Sequence, residues 1–314
     1  MSTETQQTRF TTEDGWDLTL HRVGSGRGEP VLFMPGYAMN SSILRPNNAG
    51  PSIMGHLQSR GFDPWALDPR GIGESRKGDS GSIGLQQRAL IDLPGAVSHI
   101  LQATGAEKVH LVGCSLGGAL VYAWLSHHPQ APVRSVVSMG GPLVWEKVPL
   151  YLRAFGALET PASMVQLRGT RLAATYGLPV IAKLVPGLLR LYLNPENVDI
   201  SNPSELAKTV ENPNPRISKQ VARWIRQGDL SVGGRNVRIG LRHVKCPLML
   251  VTGDGDGIAP ARCCIPALSA FGGATVHLHL SGGYRWSHAD MFIGMDARQH
   301  VFEPIVQFWN GLQE

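Results

Sequence analysis

The first ten residues, MSTETQQTRF, set no basic region ahead of an apolar core, which predicts that no secretory signal opens the chain. Long hydrophobic runs are also missing. The most lipophilic stretch, Tyr176 to Leu193, is interrupted by Pro179, Lys183, Pro186 and Arg190, which argues against a membrane span and against integral membrane association. Cysteines number four, Cys114, Cys246, Cys263 and Cys264, and their spacing suits neither a zinc site nor a disulfide framework. The neighbours Cys263 and Cys264 read as buried thiols, and a reducing cytoplasm is the expected compartment. The net charge of +5 comes without a lysine- or arginine-rich run, so the charge reads as solubility and no nucleic-acid partner is expected. Internal repeats and low-complexity segments are absent. What remains is a chain of 314 residues, 42% hydrophobic and 17% charged, enough for a sizeable core; its oligomeric state stays open.

From Thr8 to Val23 polar and apolar residues alternate around Asp14-Gly15, the pattern of a hairpin and its turn. Val31-Leu32-Phe33-Met34 is an apolar run ended by Pro35-Gly36, a buried strand meeting a loop. Pro51 opens a helix reaching Arg60, with Gly61 stopping it. Trp65-Ala66-Leu67 leads as a strand into the tight turn Asp68-Pro69-Arg70-Gly71, and Pro64, lacking an N–H, fits at that strand's first residue. Further along, a helix is predicted from about Ser82 to Thr104, a strand at Val109 to Val112, a helix from Ser115 to His127 and a strand from Val133 to Met139. Pro247 to Thr252 and Thr275 to Leu280 read as later strands, and Asp296 to Gly311 as a final helix. Such alternation predicts an α/β class with a mostly parallel central sheet covered by helices on both faces.

Between Gly141 and His243 the composition shifts. Leu150, Leu152, Phe155 and Leu158, then Leu184, Val185, Leu188, Leu189 and Tyr192, recur near helical spacing. Residues 1–140 and 244–314 are therefore expected to form a core, with 141–243 inserted between late strands as a helical cap. Most of the cap's apolar side chains should pack on the body, and some should line a pocket.

Gly113-Cys114-Ser115-Leu116-Gly117 matches G-x-S-x-G. With 37 glycines in 314 residues the match alone decides nothing, but it directly follows a β-type run and precedes a helical one, as a nucleophile elbow requires. A serine hydroxyl attacks only when a base removes its proton and an acid orients that base. Gly253-Asp254-Gly255-Asp256-Gly257 follows an apolar strand; Asp256, a few residues beyond the strand, is the expected acid, and Asp254, which also suits a plain turn, is the second choice. Of 11 histidines, His277 and His279 share one strand face, whereas His288 lies in the loop after the last predicted strand and completes the chain order Ser, Asp, His. The oxyanion donors are expected to be the backbone N–H groups of Tyr37, after the strand ending at Met34, and Leu116.

At this point the chain resembles the α/β-hydrolase superfamily over nearly its whole length, in its serine esterase and lipase type, and in three places the acid lipase branch. Thr12-Glu13-Asp14-Gly15-Trp16-Asp17-Leu18 is similar to that branch's opening hairpin, Asp68-Pro69-Arg70-Gly71-Ile72-Gly73-Glu74-Ser75 to a turn widespread in the superfamily, and His288-Ala289-Asp290-Met291-Phe292-Ile293-Gly294-Met295-Asp296-Ala297 to the branch's histidine loop. Pro35, Cys114 and Leu116 depart from the branch's usual residues, so a long-chain triglyceride substrate does not follow from the resemblance. The resemblance implies hydrolysis of carboxylic esters with an apolar acyl or alcohol part through an acyl-enzyme, with no metal or organic cofactor. The same triad also serves acyltransferases and thioesterases, and a non-catalytic receptor on this scaffold is a third class.

Overall fold

The computed structural model describes residues 4–24, 26–47, 50–75, 83–157 and 169–312. Leu158 and Ser82, invoked above for helices, and the first three residues lie outside the described residues.

Among the described residues ten strands form: β1 Thr5–Thr11, β2 Asp17–Val23, β3 Pro30–Met34, β4 Asp63–Asp68, β5 Val109–Cys114, β6 Val133–Met139, β7 Ser231–Val232, β8 Arg235–Asn236, β9 Leu248–Gly253 and β10 Thr275–Leu280. Eight of them build one sheet in the order β1-β2-β4-β3-β5-β6-β9-β10, antiparallel at β1–β2 and β2–β4 and parallel elsewhere. The short strands β7 and β8 pair as a separate hairpin. Parallel strands covered on both faces have no polar side to show, and β3, β4, β5 and β9 are buried at every residue.

Alternation along a strand still decides which core each side chain joins. Leu32, Met34, Leu111 and Val136 pack with helices α2 (Leu93–Thr104) and α3 (Leu116–His127) on one face. Val31, Phe33, Val112, Cys114 and Val137 pack on the other against α1 (Ile53–Ser59) and the last helix, Glu303–Asn310. Helix α3 is buried from Leu116 to Ser126, so its apolar residues run round the whole helix rather than along one stripe.

Local chemistry explains where the elements depart from expectation. Pro64 is the second residue of β4, not the first. Asp63 N–H donates to Glu29 O on the β3 side, so the N–H that Pro64 lacks would face β2, whose ladder begins one residue later at Trp65. The predicted helix before Thr104 runs as Leu85–Gln87, a π-helical turn Arg88–Asp92 and then α2; the final helix has the same break at Arg298–Phe302. Pro94 and Pro304 stand in the turn after each break and cannot donate to the preceding turn, which favours the wider π geometry there.

The segment between β6 and β9 is mixed. Helices Leu150–Ala157, Thr170–Leu184 and Pro215–Gln227 account for much of it. Ile217, Trp224 and Ile225 join the core, and β7 and β8 rest on α3 through His127 Nε2 to Val232 O and Arg235 Nη1 to Ser126 O. Leu189 and Leu193 are buried, but Leu150, Leu184, Val185 and Leu188 are exposed rather than packed on the body. Helix Thr170–Leu184 buries none of its residues fully; Leu178 and Ala182 pack against the core, while Leu172, Tyr176 and Val180 are exposed.

Candidate active site

The carboxyl ends of β3, β5, β9 and β10 open on one edge of the sheet, and each carries one of the residues expected from the sequence. At the end of β5 the chain must reverse within one residue to enter α3. Ser115 takes φ 54° and ψ −122°, a conformation that side chains rarely adopt and that stores on the order of 1–3 kcal/mol. Its N–H donates to Met139 O at 2.8 Å and its carbonyl accepts from Gly118 N–H at 2.9 Å, which over-determines the bend. Only glycine fits at 117, because a Cβ there would lie 2.0 Å from Met34 O, so the elbow presses directly on the end of β3.

That contact brings the loop after β3 beside the elbow: the position of a Cβ on Gly36 is 2.9 Å from Ser115 Cβ. Tyr37 follows. Among the described residues, neither its N–H nor that of Leu116, at the first turn of α3, has a hydrogen-bond acceptor in the protein. Both are free to donate to a ligand. The Tyr37 side chain points elsewhere: its hydroxyl is 2.6 Å from Ser218 Oγ in the segment between β6 and β9, and burial raises its pKa against the opposing effect of that bond. The far side of this loop is held by Asp68, whose carboxylate accepts Ser41 N–H at 2.8 Å and pairs with His21 Nε2 at 3.1 Å.

The turn and hairpin that carry the acid-lipase likeness meet in the interior. Arg70, fully buried, reaches Asp92 at 2.7 Å and Asp14 at 2.6 Å, and its guanidinium lies 5.4 Å from the Trp16 ring. These residues therefore tie the turn and the hairpin to each other.

His288 Nδ1 lies 2.7 Å from Asp256 Oδ2, with both side chains buried. The other Asp256 oxygen accepts the N–H groups of Ile258 (2.9 Å) and Ala259 (2.7 Å), so the carboxylate is fixed before it meets the ring. Asp254 does something else: Oδ1 accepts Trp286 N–H at 2.8 Å, tying the β9 loop to the histidine loop. The two candidate acids are thereby separated by geometry. The imidazole stands over the end of β6, the strand between β5 and β9. A Cβ on Gly140 would be 3.1 Å from His288 Cε1 and 3.2 Å from Nδ1, and Gly140 follows Met139, whose carbonyl holds Ser115. Ser115, His288 and Asp256 are all buried, so the cluster is shielded from bulk water.

Neighbouring groups that sequence alone left in play have other roles. Cys114 is wholly buried, and burial pushes its thiol well above the ordinary range, so it stays protonated beside the elbow. His277 and His279 both contact Thr252 Oγ1 at 2.9 Å. The residues that sequence reasoning missed form the segment 190–197, whose main chain contacts both loops: Gly257 N–H donates to Leu191 O (3.0 Å) and Ala289 N–H to Tyr192 O (2.7 Å). A main-chain lattice of this kind leaves no mark in side-chain periodicity.

Comparison with known proteins follows the same lines. A family model described as the alpha/beta hydrolase fold matches residues 29–266. Human lipase member M is 24% identical, over 94% of this chain and 80% of that protein. Human lysosomal acid lipase/cholesteryl ester hydrolase is 33% identical over a shorter stretch, 39% of this chain and 35% of that protein. Among solved structures, an esterase from Exiguobacterium antarcticum superposes with a TM-score of 0.63 at 17% identity, covering 98% of this chain and 99% of that one, a likeness that carries the fold. No helix among the described residues is long and apolar enough to cross a membrane. The chain belongs to the α/β-hydrolase family, within its lipase and esterase type.

Proposed function

We propose that the chain hydrolyses carboxylic esters with an apolar acyl or alcohol part, with Ser115 as nucleophile, His288 as base and Asp256 as the orienting acid. The single observation that carries this reading is the 2.7 Å Asp256–His288 contact, with the ring held over Gly140 beside the elbow that presents Ser115. Held at Nδ1 by Asp256, the neutral ring keeps Nε2 free to accept a proton. Ser115 Oγ attacks the ester carbonyl as His288 takes its proton, and the oxyanion is met by the Tyr37 and Leu116 N–H groups. The leaving alcohol then takes the proton from His288. Water, deprotonated by the same ring, attacks the acyl-serine and releases the acid and the free hydroxyl. Every proton and electron pair in this cycle is handled by this chain's own groups.

Residues 141–243 act in this proposal as the cap over the site, with its Leu- and Val-rich part receiving the apolar group. The four unpaired cysteines support the reducing, cytoplasmic setting. The test is p-nitrophenyl ester turnover across acyl lengths. We expect kcat/KM to rise from acetate to medium-chain esters, and Ser115→Ala to lower turnover by about four orders of magnitude or more without moving the thermal midpoint. Equal rates at every acyl length remove the apolar pocket from the proposal, and an active Ser115→Ala enzyme removes the triad.

A further inference from the structure

We propose that Asp290 is a positioning residue: it pins the turn-built segment Arg190–Asn197, the stem, across the two loops that carry Asp256 and His288, and thereby sets the geometry of both. This inference rests on the triad proposed above.

The stem touches both loops at main-chain level. On the Asp256 side Gly257 N–H donates to Leu191 O at 3.0 Å. On the His288 side, Ser287 Oγ donates to Arg190 O at 2.6 Å and Ala289 N–H to Tyr192 O at 2.7 Å, so the residues before and after the imidazole are both tied to the stem. The Tyr192 ring centroid is 6.3 Å from that of His288. Asn194 Nδ2 donates to Arg285 O at 3.0 Å and extends the seam along the histidine loop. Close approach is built in on the acid side as well. A Cβ on Gly257 would lie 2.7 Å from Leu191 Cδ2 and 2.9 Å from its Cα, so a larger residue there would push the stem away.

Asp290 closes this arrangement. Its carboxylate is wholly buried, with Oδ1 accepting Asn194 N–H (2.9 Å) and Oδ2 accepting Ser287 N–H (3.1 Å). One oxygen thus holds the stem, and the other holds the residue immediately before His288. Burial, with Asp256 nearby, pushes the Asp290 pKa up to about 6, so the folded protein carries this carboxylate at an energetic cost. A buried carboxylate met by amides and no cation is a poor choice for stability alone. It does suit the task of joining two main-chain segments that have no ladder between them.

The experiment compares wild type with Asp290→Asn, which keeps the shape but replaces one acceptor oxygen with a donor. Active sites are first counted by stoichiometric fluorophosphonate labelling of Ser115, then kcat and KM are measured per labelled site with p-nitrophenyl butyrate. We expect kcat per site to fall about tenfold to a hundredfold with KM nearly unchanged, while the thermal midpoint at pH 7.5 holds or rises. Unchanged kcat per labelled site overturns the positioning role and leaves the triad standing. A wild type that does not label at Ser115 overturns the triad and this inference with it. If Asp290→Asn fails to fold, Gly257→Ala tests the stem from the acid side. The same loss of kcat per site supports the proposal, and wild-type kcat contradicts it.

Discussion

Two of the buried charge clusters among the described residues are built on opposite rules. In the first, Arg70 is matched by Asp92 and Asp14 and backed by Trp16, so a fixed cation answers fixed anions. In the second, Asp256 faces an imidazole that can gain or lose a proton, and Asp290 faces only amide donors. The first cluster can be permanent because nothing in it needs to change charge. The second is poised, and whatever stability it gives up is consistent with a site that must pass a proton. Arg70, Asp14 and Trp16 in the first cluster and His288 and Asp290 in the second belong to segments that mark the family resemblance, so a motif by itself does not say whether a residue locks the fold or performs chemistry.

The largest test of this contrast is Asp256→Asn. The amide keeps the size of the acid but no longer fixes the imidazole with Nδ1 as its donor, and kcat should drop by about 10⁴, read in steady-state ester hydrolysis, with little change in the melting curve. A loss below tenfold would mean that another group orients His288. Next comes Arg70→Ala, which leaves Asp92 buried without its cation. We expect a stability loss of about 3–5 kcal/mol in urea unfolding, and an unchanged kcat per active site below the transition. A variant of wild-type stability would make the cluster dispensable.

The smallest effect concerns the sign of pH dependence. The Arg70 hydrogen bond holds Asp14 below the usual carboxylate range, so the stability it contributes is present above that range and fades as pH falls through the lowered pKa. Asp290 runs the other way. Its pKa is raised from 3.8 to about 6, so it opposes folding fully above about pH 6, and this opposition is relieved as pH falls toward the unfolded value. Asp256 and Tyr284 are titratable groups that interact with it, and His288 lies two residues before it. Melting curves of wild type and Asp290→Asn between pH 4 and 8 should therefore differ most at the alkaline end and converge toward the acid end. A constant difference would show that the ionised carboxylate is not what the substitution relieves.

Much of the scaffold was legible because its signals are local. The hairpin turn at Asp14-Gly15, the all-apolar strands and the G-x-S-x-G bend each state their geometry within a few residues. The loop carrying the proposed acid was equally visible, yet its two aspartates are two residues apart among glycines, and no periodicity separates them; their partners do, Trp286 N–H for Asp254 and His288 for Asp256, each 32 residues away. The π-helical breaks lie inside segments whose periodicity is helical throughout, and only the donors that Pro94 and Pro304 lack mark where the preceding turn widens. The stem at 190–197 was beyond reach for another reason. It is joined by main-chain bonds to residues far along the chain, and such bonds are indifferent to side-chain identity.

Activation of the Ser115 hydroxyl by His288, as proposed, is tested most directly by mass spectrometry after fluorophosphonate treatment. One adduct should appear per chain, on the peptide containing Ser115; it should be absent in Ser115→Ala and form far more slowly in His288→Ala. Labelling that is equally fast without His288, or ester turnover with no adduct at Ser115, would contradict it.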